Sequence, residues 1–104
     1  MNIKGCHNSD LIKEKLDSES NGKLKEAVLR KMRELAEAII QVDGLPQLPQ
    51  SMCLPTSVAG SFRAKVDKDV RLYWHIEDRE ILVFEDYANH KEAAKRYHDA
   101  HNVG

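Results

Sequence analysis

At 104 residues, with 41% hydrophobic and 32% charged side chains, the chain can bury one modest core, and its composition excludes disorder along its whole length. The 16 basic and 17 acidic residues leave a formal net charge of −1, and cutting at Thr56 leaves eight of each sign before it and eight against nine after. A uniformly basic nucleic-acid binder is thereby excluded, and any basic site must be local.

No apolar run approaches the roughly 20 residues that span a bilayer, and the start Met1-Asn2-Ile3-Lys4 carries no apolar stretch of the kind that directs secretion. The expected location is the cytoplasm, with no membrane partner and with Cys6 and Cys53 as free thiols. One α+β domain is expected over residues 1–104. Its parts are a short first strand at Ile3 to Cys6, a helical part over about 9–43, a proline-containing loop over 44–56, a three-stranded antiparallel β-meander over 57–87 and a C-terminal helix over 89–101.

Asn8-Ser9-Asp10 offers an N-cap for a short helix carrying Leu11, Ile12 and Leu16. Ser18 to Gly22 reads as the break. Leu24, Val28, Met32, Leu35 and Ile39 then recur at spacings of four, four, three and four, an amphipathic helix widened by Ala27, Ala36 and Ile40 and stopped by Asp43-Gly44. The segment GLPQLPQSMCLP has three prolines and no period, which makes it a loop; its Pro46-Gln47-Leu48-Pro49 matches the P-x-x-P ligand pattern, but a single match in a connection reads as loop.

From Val58 the period becomes two. Val58, Phe62, Ala64 and Val66 alternate with Ser61, Arg63 and Lys65. After the turn Asp67-Lys68-Asp69, Val70, Leu72, Trp74 and Ile76 alternate with Arg71, Tyr73 and His75. Glu77 to Glu80 makes the next turn, and Ile81-Leu82-Val83-Phe84 is apolar throughout, as suits a strand covered on both faces. A polar helix capped by Asn89 closes the chain, and His98 and His101 in its last turn suit the helix dipole better than a metal site.

A three-residue turn that pairs Val66 with Val70 sets Lys65 opposite Arg71 and Arg63 opposite Tyr73, on the face turned away from the apolar side chains. Opposed cations destabilise a ladder unless an anion sits between them. A phosphate suits them by charge and by hydrogen-bond geometry, while Tyr73 and His75 on that face offer a stacking ring and an imidazole. The same residues equally suit the wet face of an antiparallel sheet, where charges guard against edge pairing.

The stretch VRLYWHIEDREILVFEDYANHKEAAKRY, with GSFRAKV before it, resembles the RelE/ParE superfamily of toxin-antitoxin toxins, in particular the RelE-like branch that cleaves mRNA on the ribosome. The similarity covers roughly residues 58 to 97. Arg63 and Lys65 stand where that branch has a Lys-x-Lys pair, and Arg71 stands at the arginine of its Y-R-L-x-Y segment. Lys91 falls at a second arginine after the last strand, His90 at neighbouring basic or histidine positions, and Tyr97 at the tyrosine that acts in cleavage. The chain departs from the pattern in its near-neutral charge, in Val70 before Arg71 and in the acidic Glu85-Asp86.

The resemblance implies an endoribonuclease working by attack of an RNA 2′-OH on the adjacent phosphate, with no metal or cofactor. Its implied partners are a cognate antitoxin, mRNA and the ribosome. Arg71 and Lys65, with Lys91, then stabilise the phosphate, Tyr97 or His90 transfers the proton with His75 as a further alternative, and Arg63 (as a contact to the RNA backbone), Tyr73 and His75 hold substrate. A phenol is a poor base at its ordinary pKa near 10, so a catalytic tyrosine would need Lys65 or Arg71 close by. The alternative is a non-catalytic protein of the same fold, either a ParE-like inhibitor of a DNA topoisomerase or a protein-binding module.

Overall fold

The computed structural model describes residues 3–40, 53–56 and 60–92. The expected stop at Asp43-Gly44, the P-x-x-P segment, Val58 and the C-terminal positions that include Tyr97, His98 and His101 lie outside them.

Ser9 decides where the first helix starts. Its backbone is extended (φ −62°, ψ 158°), its Oγ accepts from Ile12 N at 3.1 Å, and the same hydroxyl donates to Glu85 O at 2.5 Å. Helix α1 (Asp10–Ser18) follows, with Ile12 and Leu16 buried. Asn21 caps the longer α2 (Gly22–Ile40) through Oδ1, which accepts from Leu24 N at 3.1 Å. The expected stripe faces inward: Val28, Met32, Leu35 and Ile39 are buried, and Leu24 and Ala36 pack against the cluster they form.

Both helices cover one face of a five-stranded sheet. Its strands are β1 (Gly5–Asn8), β2 (Leu54–Pro55), β3 (Ser61–Lys65), β4 (Val70–Glu77) and β5 (Ile81–Asn89), in spatial order β1-β5-β4-β3-β2. The expected α+β class and meander hold, with two corrections. The first strand is Gly5–Asn8, not Ile3 to Cys6, because the ladder runs parallel to Ile81–Phe84, and Ile3 instead inserts into the core. The end of the expected loop also pairs: Leu54 and Pro55 oppose Arg63 and Phe62, and a proline is tolerated there because the strand is an edge. Ala64, Val70, Leu72, Trp74, Leu82, Phe84 and Tyr87 meet the helices, with Phe62 against Trp74 at 5.0 Å between ring centroids.

The β3–β4 turn is held by Val66 N donating to Val70 O at 3.0 Å, while Asp67 Oδ1 accepts from the N–H groups of Asp69 and Val70, both at 2.8 Å. Between β4 and β5, Asp78 (φ 52°) and Arg79 (φ 60°) both occupy the left-handed region, the arrangement of a type I′ turn. β5 then breaks step. Trp74 pairs with Phe84 but Tyr73 pairs with Asp86, so Glu85 is the extra residue of a β-bulge. Among the described residues no helix is long and apolar enough to cross a membrane.

Candidate functional site

The expected register is the observed one. On the sheet face away from the helices, Lys65 opposes Arg71, Arg63 opposes Tyr73 and Ser61 opposes His75. β5 continues the first two rows with Ala88 beside Arg71 and Asp86 beside Tyr73. Ala88 leaves the Arg71 row without a bulky third side chain.

The two ends of this face differ in what they offer. At the end toward the β3–β4 turn, Lys65 and Lys91 are exposed and Arg71 is partly so. The Arg71 guanidinium folds over the turn, where Nη1 donates to Asp67 O at 2.8 Å and Val70 O at 3.2 Å and lies 3.4 Å from Lys68 O. His90 Nε2 reaches the same Lys68 carbonyl at 3.3 Å. A carbonyl only accepts, so this nitrogen carries the proton in that contact. Asn89 positions His90 and Lys91, because its Oδ1 accepts from Glu92 N at 2.9 Å and caps the helical turn that opens there, as its sequence position predicts. Lys65, Arg71, His90 and Lys91 thus gather around one turn.

The other end is occupied and acidic. His75 Nδ1 lies 2.5 Å from Glu85 Oε2, its Nε2 lies 3.4 Å from Glu77 Oε1, and Ser61 Oγ donates to Glu85 Oε2 at 3.0 Å. The expectation that His75 holds substrate is corrected here for an anionic group, since two carboxylates beside the imidazole repel an anion. Tyr73 is corrected as well. It is 1% exposed, so no base can stack on its ring, and burial raises its pKa against the lowering pull of Arg63 and Arg71, which removes it as a base. Arg63 is 8% exposed and supplies buried positive charge beneath this face, not the exposed backbone contact expected of it. Tyr97 lies outside the described residues.

Sequence reasoning missed Lys15. β1 ends its pairing at Asn8–Phe84, which leaves the second half of β5 with an unpaired edge. α1 runs along that edge, and the Lys15 ammonium donates to the Tyr87 carbonyl, meets Asp86 Oδ1 at 3.0 Å and Glu92 Oε2 at 3.2 Å, and lies 4.5 Å from the Tyr87 ring centroid. Tyr87 in turn donates from its hydroxyl to Glu19 Oε1 at 2.7 Å. Burial and that carboxylate push the Tyr87 pKa well above its ordinary value, and the same hydrogen bond holds Glu19 below its own. The available signal was the spacing Phe84-Glu85-Asp86-Tyr87: two large apolar residues three apart cannot both face the core in a regular strand. Among the described residues no three His, Cys, Asp or Glu side chains form a metal site.

The fold is shared with solved structures, one of them a toxin-antitoxin complex. YafQ from E. coli superposes with a TM-score of 0.56 at 19% identity, covering 84% of this chain and 93% of that one. The YoeB dimer from Staphylococcus aureus gives a TM-score of 0.57 at 16% identity, covering 83% and 94%. The E. coli DinJ-YafQ toxin-antitoxin complex gives 0.55 at 21%, covering 88% and 97%. No family model and no curated protein matches the chain.

Proposed function

We propose that the protein is a RelE-like toxin, an endoribonuclease that cleaves ribosome-bound mRNA in the cytoplasm and is held inactive by a cognate antitoxin. One observation carries the reading. On a fold shared with YafQ and YoeB, Lys65 and Arg71 face each other across a ladder and His90 meets Arg71 over the Lys68 carbonyl.

The reaction needs no metal or cofactor. A base takes the proton of an RNA 2′-OH, the oxygen attacks the adjacent phosphorus in line, and the departing 5′-oxygen receives a proton. His90 is the described residue suited to moving the proton, with Tyr97 the alternative implied by the resemblance. Arg71, Lys65 and Lys91 offset the charge that develops on the phosphoryl oxygens.

The test is a reporter mRNA in a translating extract. Wild-type protein cuts it; Arg71→Ala and Lys65→Ala each slow the cut about 10²- to 10³-fold, and His90→Ala about 10²- to 10⁴-fold. A reporter left whole by wild-type protein overturns the proposal. The buried Tyr73 and the clamped His75 favour a second reading, a non-catalytic protein of this fold. Growth arrest with DNA damage and whole mRNA identifies a ParE-like topoisomerase inhibitor, and absence of toxicity a protein-binding module.

A further inference from the structure

Beside the cationic end of the sheet face lies a groove of about 630 Å³, between the start of α2, the β3–β4 turn and residues 89–91. We infer that this groove is a subsite for one nucleotide of an RNA strand, the one next to the cleaved bond. The inference deepens the ribonuclease reading and rests on it for the identity of the strand.

The lining is divided as a nucleotide is. Leu24, Ala27 and Val70 give an apolar surface for a base, and the volume falls in the range of small-molecule sites. Lys23 and Lys91 are exposed at the groove, and neither ammonium has an ion-pair partner among the described residues, so both are available to a phosphate. Asn21 and Asn89 commit their carbonyl oxygens to the caps of Leu24 and Glu92, which leaves each amide nitrogen as a donor. Asp67 is likewise committed to the N–H groups of Asp69 and Val70.

The Asp69 carboxylate is exposed and accepts no hydrogen bond among the described residues, so it is available to a base amine or a ribose hydroxyl. Two lysines against two aspartates disfavour a polyphosphate and suit one phosphodiester. His90 lines the groove and also reaches Lys68 O on the Arg71 side, which places the groove next to the proposed cleavage cluster.

A short 2′-O-methyl oligoribonucleotide, which cannot be cut, separates this inference from catalysis. Amide shifts should move at Leu24, Ala27 and Val70. Ala27→Met, which fills the groove with a helix-compatible side chain, should weaken binding about tenfold, equivalent to 1.4 kcal/mol. Asp69→Ala should erase any preference among the four nucleoside monophosphates added singly. If the groove amides stay still, or Ala27→Met binds as tightly as wild type, the subsite is wrong, whether or not reporter mRNA is cut. If the groove binds and the mRNA stays whole, the subsite stands and the ribonuclease reading falls.

Discussion

Replacing Lys15 by methionine keeps most of the apolar stem and removes the charge. In the native protein that ammonium is 17% exposed and lies 3.0 Å from the Asp86 carboxylate, which is fully buried. Removing one partner of a buried pair costs up to about 3–5 kcal/mol, and less where the remaining charge keeps other partners, as Asp86 does through Tyr87 N at 2.8 Å. The Tyr87 carbonyl also loses its donor, but that loss overlaps the first and is not added to it. Glu92, 41% exposed, contributes little through its own pairing because water screens it.

Domains of this size are stable by only about 5–15 kcal/mol, so Lys15→Met should remove a large share of the total. The single tryptophan, Trp74, is in the core and reports unfolding by fluorescence in a urea titration. The exposed pair Lys4–Glu80, at 66% and 50% side-chain exposure, serves as the control; Lys4→Met should cost under about 1 kcal/mol. The double variant Lys15→Met with Asp86→Leu should recover part of the loss, since it removes both charges. A cost for Lys15→Met no greater than for Lys4→Met, or a double variant showing the full sum of both single losses, would refute the claim that α1 is fastened to β5 by this ion pair.

Asp78→Asn with Arg79→Gly should raise the melting temperature, because both positions have positive φ; the gain should be up to about 1 kcal/mol, read by thermal unfolding. Stability should fall at both pH extremes. Tyr73 and Tyr87 have raised folded-state pKa values, so their contribution is complete below about pH 10 and is lost as the pH climbs beyond it. Glu19 has a lowered pKa, so its contribution is present above about pH 4.5 and is lost as the pH falls; Glu19→Gln should flatten that acid limb in urea titrations repeated across pH. Glu85→Gln should release His75 and tighten RNA binding at low salt, and unchanged affinity would mean that the acidic end of the face does not repel the strand.

The parts of this molecule that could be read from residue order are those governed by local period and turn length. The stripe Val28, Met32, Leu35 and Ile39 has one inward face, and a three-residue turn between Val66 and Val70 admits one in-phase register, so Lys65 and Arg71 are found opposite each other as expected. The pairing of Leu54–Pro55 was not legible, because a two-residue edge strand has no period. The burial of Arg63 and Tyr73 was not legible either. Alternation assigns a side chain to a face but not what else covers that face.

The bulge joins the two accounts. By inserting Glu85, β5 turns both Phe84 and Tyr87 toward the helices, so the core is completed only if Glu85 and Asp86 are accommodated elsewhere. Asp86 meets Lys15 and fastens α1, while Glu85 meets Ser61 and His75 and makes their end of the face acidic. The departure Glu85-Asp86 from the sequence pattern is therefore a structural device before it is a change to the site. It withdraws His75 from an anion and leaves positive charge concentrated where Lys65, Arg71, His90 and Lys91 surround the β3–β4 turn. A chain with a net charge of −1 can still present a phosphate site there, because Glu85 and Glu77 lie at the His75 end of the face and Asp67 Oδ1, within the turn itself, is committed to the N–H groups of Asp69 and Val70.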